Sequence, residues 1–228
     1  VEAADENVVG GPPVPIRQTV NTGASGTRGA AAKTISLDDY LGKIIEGFLF
    51  GDLDAMGAVG SKPNGSLNYP IMMAVLAGTE VLGTIIGTSK EGAAVEYYWK
   101  EYMSRVNPAY EHLGELARVL LRNGLMHAFV TKPGVGVVKK NPKAHLTTNA
   151  EGLRIFDCGV LADHFKRSYF EHAKPDILTK RQRVERRLDE VVLAHVMTQM
   201  SSVLGRIPAS VFPLYVPEGV VSGTPSQI

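Results

Sequence analysis

Three features of this sequence predict a mainly α fold: a helical bundle with a small β-hairpin insertion and irregular N- and C-terminal arms. Apolar residues recur at helical spacing through most of 36–204, glycine and proline cluster between those stretches, and residues 1–34 and 207–228 show no sustained period. The chain has 228 residues, enough for one domain with extensions. It divides into an N-terminal arm at 1–34, a bundle domain at 35–206 with a β insertion at about 129–157, and an extended C-terminal tail at 207–228.

Residues 1–34 hold no aromatic side chain and are rich in Gly, Ala, Pro, Thr and Val. Such a segment buries too little apolar surface to offset its ordering entropy, so the arm is expected to be flexible alone and to order along a partner. Ser36-Leu37-Asp38-Asp39 then reads as an N-cap with an acid three residues on. The helix it opens is expected to reach about residue 50, with Leu37, Leu41, Ile44, Ile45, Phe48 and Leu49 as its apolar stripe. Residues 51–66, with four glycines and one proline, are expected to be a loop.

Pro70 starts a second helix to about residue 86, whose small apolar run Ala74-Val75-Leu76-Ala77-Gly78 suits close packing. A third helix, about 91–105, carries Tyr97, Tyr98, Trp99 and Tyr102. Asn107-Pro108 is an N-cap and N1 pair opening a fourth helix that reaches about residue 129. Lys132-Pro133-Gly134, set between short apolar stretches in 129–140, predicts a β-hairpin, and 153–156 a third strand. Helix resumes near Gly159 and runs to about residue 172. After Pro175 the longest helix is expected, about 177–204, with Val184, Leu188, Val191, His195 and Val196 on its apolar side. The tail has four prolines, yet Val211, Phe212, Leu214, Tyr215 and Val216 give it an apolar segment suited to docking.

Composition bounds the function. Apolar residues make up 44% of the chain and charged residues 21%, and the net charge is +1. No global field draws in nucleic acid or acidic membranes, so such binding would depend on a local patch. A single cysteine, Cys158, excludes an intrachain disulfide and reads as a small buried hydrophobe in a reducing compartment. No run of about 18 apolar residues is present, and the most apolar window, 71–86, is punctuated by Gly78 and Gly83, so no membrane span is expected. With no basic-then-apolar leader, the expected location is the cytoplasm or a virion, and an opening Val1 fits a processed virion component.

The sharpest chemical pattern is Arg122-Asn123-Gly124-Leu125-Met126-His127 at the end of the fourth helix. A guanidinium presents a fixed fork that matches phosphate oxygens, and an imidazole exchanges a proton near neutral pH. Asn123 and His127 are four apart and share a helix face, whereas Arg122 and His127, five apart, diverge by about 140°. Two such helices paired in a dimer would be needed to build one site. The plainer alternative places Arg122 at the helix C-terminus as a dipole cap and His127 on a hairpin carbonyl.

This segment resembles the Arg-x4–6-His signature of the HEPN superfamily (higher eukaryotes and prokaryotes nucleotide-binding domains). The surrounding pattern is also similar, over 37–172, to uncharacterised bacterial proteins with an Arg-Asn-Gly-Leu-x-His helix end. The resemblance implies a helical bundle, many of whose members are dimeric, metal-independent ribonucleases. It further implies catalytic residues Arg122 on the scissile phosphate, His127 moving a proton at the ribose 2′-oxygen, and Asn123 orienting His127.

Other patterns are weaker. Lys180, Arg181, Arg183, Arg186 and Arg187 form a basic run suited to RNA, although a solvated helix face offset by Glu185, Asp189 and Glu190 is the simpler reading. Tyr97, Tyr98, Trp99 and Tyr102 are read as packing rather than base stacking. The six histidines, including His164 and His172 eight apart on one helix, give no His-x3-His spacing and there is no Cys-x2-Cys pair, so no metal or other cofactor is expected. The leading expectation is a non-catalytic structural or assembly protein. It would be homo-oligomeric or part of a larger, viral assembly, holding partners through 1–34 and 207–228. The alternatives are a dimeric metal-independent ribonuclease, a toxin or defence effector with RNA as its partner, and a nucleotide- or small-molecule-binding bundle.

Overall fold

The computed structural model describes residues 35–60, 67–87, 93–128, 131–193 and Arg206, with the side chains of 126–128 and 191–193 outside that description. The chain divides into two units between Lys33 and Thr34, and the described residues all belong to the second. The arm at 1–34, the tail at 207–228 and the expected helical residues 194–204, His195 among them, lie outside the described residues.

Six helices and a three-stranded sheet make up the described residues, so the mainly α bundle with a small β insertion is what this sequence builds. We number the helices α1 (37–58), α2 (Asn68–Ile86), α3 (93–106), α4 (114–128), α5 (158–179) and α6 (181–193). The strands are β1 (Val135–Val138), β2 (Thr147–Thr148) and β3 (Arg154–Asp157).

Helix α2 is the axis of the bundle and touches the other five helices. Its buried residues, among them Ile71, Met72, Val75, Leu76, Leu82 and Ile86, lie on more than one face, as a helix enclosed by neighbours requires. Its mean hydropathy of 1.6 over 18 residues is enough for a membrane span by length and composition alone, but 56% of that window is buried inside this bundle. Gly83 permits the closest approach, since a Cβ there would sit on the backbone of Ala94 at the start of α3. Tyr98, Trp99 and Tyr102 of α3 are buried and Tyr97 packs half-buried against the same core, as the packing reading of these aromatics expects. Tyr98 meets Phe165 edge to face, and Trp99 meets Tyr110 the same way.

Four expectations need correction. Helix α1 begins as predicted, with the Ser36 hydroxyl accepting the Asp39 N–H at 3.1 Å, but it runs on to Ala58 instead of stopping near Phe50. Phe50, Leu53 and Met56 prolong the apolar stripe past Gly51, and the Lys139 ammonium then caps the end by donating to the carbonyls of Met56 (2.8 Å) and Val59 (2.7 Å). Asn107 caps as expected, accepting from the Ala109 N–H at 3.0 Å, but it opens a 3-10 turn (Pro108–His112), and α4 starts afresh at Gly114.

The hairpin lies later than predicted. The turn at Gly134, where φ is +93°, feeds β1, and β1 pairs in parallel with β3 (Val135 with Arg154, Val138 with Asp157). The antiparallel pair is β2 with β3, giving the order β1-β3-β2. Its loop is shaped by Asn149, whose side-chain Oδ1 accepts from the N–H groups of Glu151 and Leu153, a local turn chemistry that a search for Pro-Gly overlooks. Last, the break expected at Pro175 falls at Lys180 (φ −103°, ψ 26°). The wide turn at Tyr169–Ala173, closed by the Lys174 N–H on the Tyr169 carbonyl, lets α5 carry the proline through.

Candidate functional site

Arg122 and Asn123 sit on the last two turns of α4, and the structure brings them together. The Arg122 guanidinium donates from Nε to Glu80 Oε2 at 3.1 Å, from Nη2 to Glu80 Oε1 at 2.9 Å and from Nη1 to Asn123 Oδ1 at 3.2 Å. Its fork is thus filled by a carboxylate from α2, the geometry a phosphate would otherwise claim. One turn earlier Arg118 makes the matching bond to Glu96 of α3. The two arginines lie on one face of α4 and tie it to two neighbouring helices. Gly124 and Leu125, which follow on α4, are buried. The backbone of His127 continues the helix, while its side chain lies outside the described residues. Asn123 accepts from Arg122 through its side-chain amide oxygen.

The basic run is largely engaged within the chain. Arg181 donates to both carboxylate oxygens of Asp38 (3.1 and 2.7 Å) and to Glu185 (3.3 Å), and Lys180 pairs with Asp176 at 3.7 Å. The Arg181 hydrogen bond holds the Asp38 carboxyl below its ordinary range, against a weaker opposing effect of burial. Arg183 donates to the Gly87 carbonyl at 3.3 Å, and Arg187 to the Thr84 carbonyl at 2.9 and 2.6 Å. These two close the C-terminus of α2, where free carbonyls and the helix dipole favour cations. Arg186 is exposed. Cys158 is fully buried and its thiol is pushed up to about 11, chiefly by burial, which fits the inert reading.

Sequence reasoning missed a junction built around Tyr110. Its hydroxyl lies 2.7 Å from His145 Nε2 and 2.9 Å from His164 Nδ1. The Asp157 backbone N–H donates to His145 Nδ1 at 3.1 Å, which fixes the His145 tautomer and leaves His164 Nδ1 as the acceptor for the Tyr110 proton. With Nδ1 accepting, His145 carries its proton on Nε2 and donates to Tyr110. Tyr110 then donates to His164 Nδ1, and His164 keeps its proton on Nε2. Asp157 is itself 1% exposed; its side chain caps α5 through the N–H groups of Gly159 and Val160 and accepts the Asn141 N–H at 2.6 Å.

Electrostatics keeps this junction neutral. Burial, with the neighbouring His164 adding to it and Asp157 opposing it, holds His145 down to about 4. Burial also lowers His164, helped by Arg167 and opposed by Asp163, and it raises Tyr110. Both ring nitrogens of His145 and Nδ1 of His164 are already taken, and no group of three metal-ligating side chains occurs among the described residues. His172 lies 4.0 Å from Glu171. Nothing in the spacing of Tyr110, His145 and His164 signals the junction, because its hydrogen bonds span 35 and 54 residues.

Beside it runs a groove of about 260 Å³ between the 108–112 turn, the start of α4 and the β2–β3 hairpin. Leu113, Leu146 and Phe156 form apolar wall, with Thr148 and Arg154 as polar members. Leu146 follows His145 directly, and the Phe156 ring meets the His145 ring edge to face. Compared with protein-family models, curated proteins and solved structures, the chain matches none.

Proposed function

We propose that this chain is a non-catalytic structural protein, built on a HEPN-like helical bundle, that assembles with copies of itself or within a larger particle such as a virion. The observation that carries the reading is the filled fork of Arg122. Both carboxylate oxygens of Glu80 occupy the donors that phosphate binding would need. The same economy applies to Arg181, Arg183 and Arg187, whose donors serve the carboxylate of Asp38 and the carbonyls of α2. A net charge of +1 puts little long-range repulsion in the way of self-association. The segments 1–34 and 207–228, the first without an aromatic residue and the second with an apolar stretch at Val211–Val216, supply the contacts between subunits.

Light scattering on the full chain across a wide concentration range is expected to show a defined oligomer, and the same protein is expected to leave single-stranded RNA intact. A monomer at every concentration would overturn the reading. RNA cleavage that disappears in a folded His127→Ala variant would replace it with the ribonuclease alternative.

A further inference from the structure

We infer that the groove beside the Tyr110 junction binds a small amphipathic carboxylate, an apolar body with one carboxylate held by Arg154.

The groove is bounded by Leu113, Leu116, Leu146, Ile155 and Phe156, so its walls favour an apolar occupant. Arg154 is the single ionisable residue among those that line it. No carboxylate of the described residues pairs with Arg154, whereas Arg118, Arg122 and Arg181 each hold one. Arg154 stands opposite Thr148 in the β2–β3 ladder, which adds a hydroxyl beside the guanidinium. An apolar cleft with one cation and one hydroxyl is complementary to a monoanion attached to a hydrocarbon. The planar fork suits a carboxylate, and one positive charge balances it. A phosphate monoester, with close to two negative charges at neutral pH, would leave about one of them unmatched. At about 260 Å³ the groove lies just below the range of drug-sized sites, which sets the ligand as a short chain or a single ring. Its walls are fixed in advance. The Asn149 turn holds the hairpin, and the Asp157–His145–Tyr110–His164 chain pins the segment that carries Leu146 to the turn that carries Ala109.

Titration of the full chain with hexanoate, followed by amide NMR, tests the site. Saturable shifts are expected at Leu146–Thr148 and Arg154–Phe156, with hexanamide and inorganic phosphate each binding at least about ten-fold more weakly. Arg154→Met is expected to weaken hexanoate by about ten-fold while leaving hexanamide unchanged. Lys143→Met, on the neighbouring exposed segment, is expected to leave both unchanged. Absent or non-saturating shifts, equal binding of hexanoate and hexanamide, tighter binding of phosphate, or an unaltered hexanoate affinity in folded Arg154→Met would each overturn the proposal. Should Arg154→Met fail to fold, the hexanoate–hexanamide pair measured on the unmodified chain decides. The oligomeric state plays no part in this readout, so the groove and the assembly reading stand or fall separately.

Discussion

The Arg122–Glu80 tie and the Tyr110 junction both fasten α4 or its approach to the rest of the bundle, yet they do so by opposite physics. The first joins two full charges whose side chains are 32% and 27% exposed, so water and salt dilute their attraction. The second joins three neutral groups around a fully buried hydroxyl, where no solvent replaces a lost partner. The region that looks most chemical in the sequence is therefore the more forgiving one. The region without a motif is the one on which the fold depends.

Tyr110 is the most sensitive point of the junction. Tyr110→Ala removes a buried ring packed against Trp99 and strips partners from both histidines, and it is expected to cost about 3–5 kcal/mol in urea unfolding. Tyr110→Phe keeps the ring and isolates the polar share, expected at about 1–3 kcal/mol. A loss below about 0.5 kcal/mol for Tyr110→Phe would show that water replaces the hydroxyl and that the junction is not sealed.

Acid gives the next largest effect. His145 titrates near 6.5 when unfolded and is held down to about 4 when folded, so between those values the unfolded chain binds more protons. Stability is then complete above about pH 6.5 and falls by roughly 1–3 kcal/mol as the pH drops towards 4. Protonation at Nδ1 would also eject the Asp157 N–H. Thermal melts of His145→Gln are expected to be lower at pH 7 but flatter across that window, and a slope equal to that of the unmodified chain would assign the acid response elsewhere.

The Arg122 tie gives the smallest effect. Glu80→Gln is expected to cost about 1 kcal/mol at low salt and less at high salt. A loss of more than about 3 kcal/mol, independent of salt, would mean that the pair behaves as a buried one and would erase the contrast.

The difference also explains what the sequence could disclose. Helices announce themselves through neighbours three and four residues apart, so the stripe from Leu37, the cap at Ser36 and the aromatic face of α3 are legible without a structure. Arg122 and His127 stand out because they share a helix and a familiar spacing. Glu80, the group that fills the Arg122 fork, is 42 residues away and carries no local signal. His145 and His164 are equally silent, since what joins them is the Tyr110 hydroxyl. The early stop at Phe50 and the false break at Pro175 have a common cause. Glycine and proline report local cost, whereas Leu53, Met56 and Ile177 continue the buried face across them.

The parallel pairing of β1 with β3 sets an order of events during folding. β2 and β3 are joined by residues 149–153 alone, while β1 must wait for the whole of 139–153 to close. Long closures cost more entropy and parallel pairings form slowly. Two amides on this small sheet mark the two steps: Leu146 donates to the Ile155 carbonyl across the hairpin, and Arg154 donates to the Gly134 carbonyl at the parallel edge. In pulse-labelling during refolding, the Leu146 amide is expected to gain protection before that of Arg154. The guanidinium side of the groove is thus expected to rest on the last seam of the sheet to close.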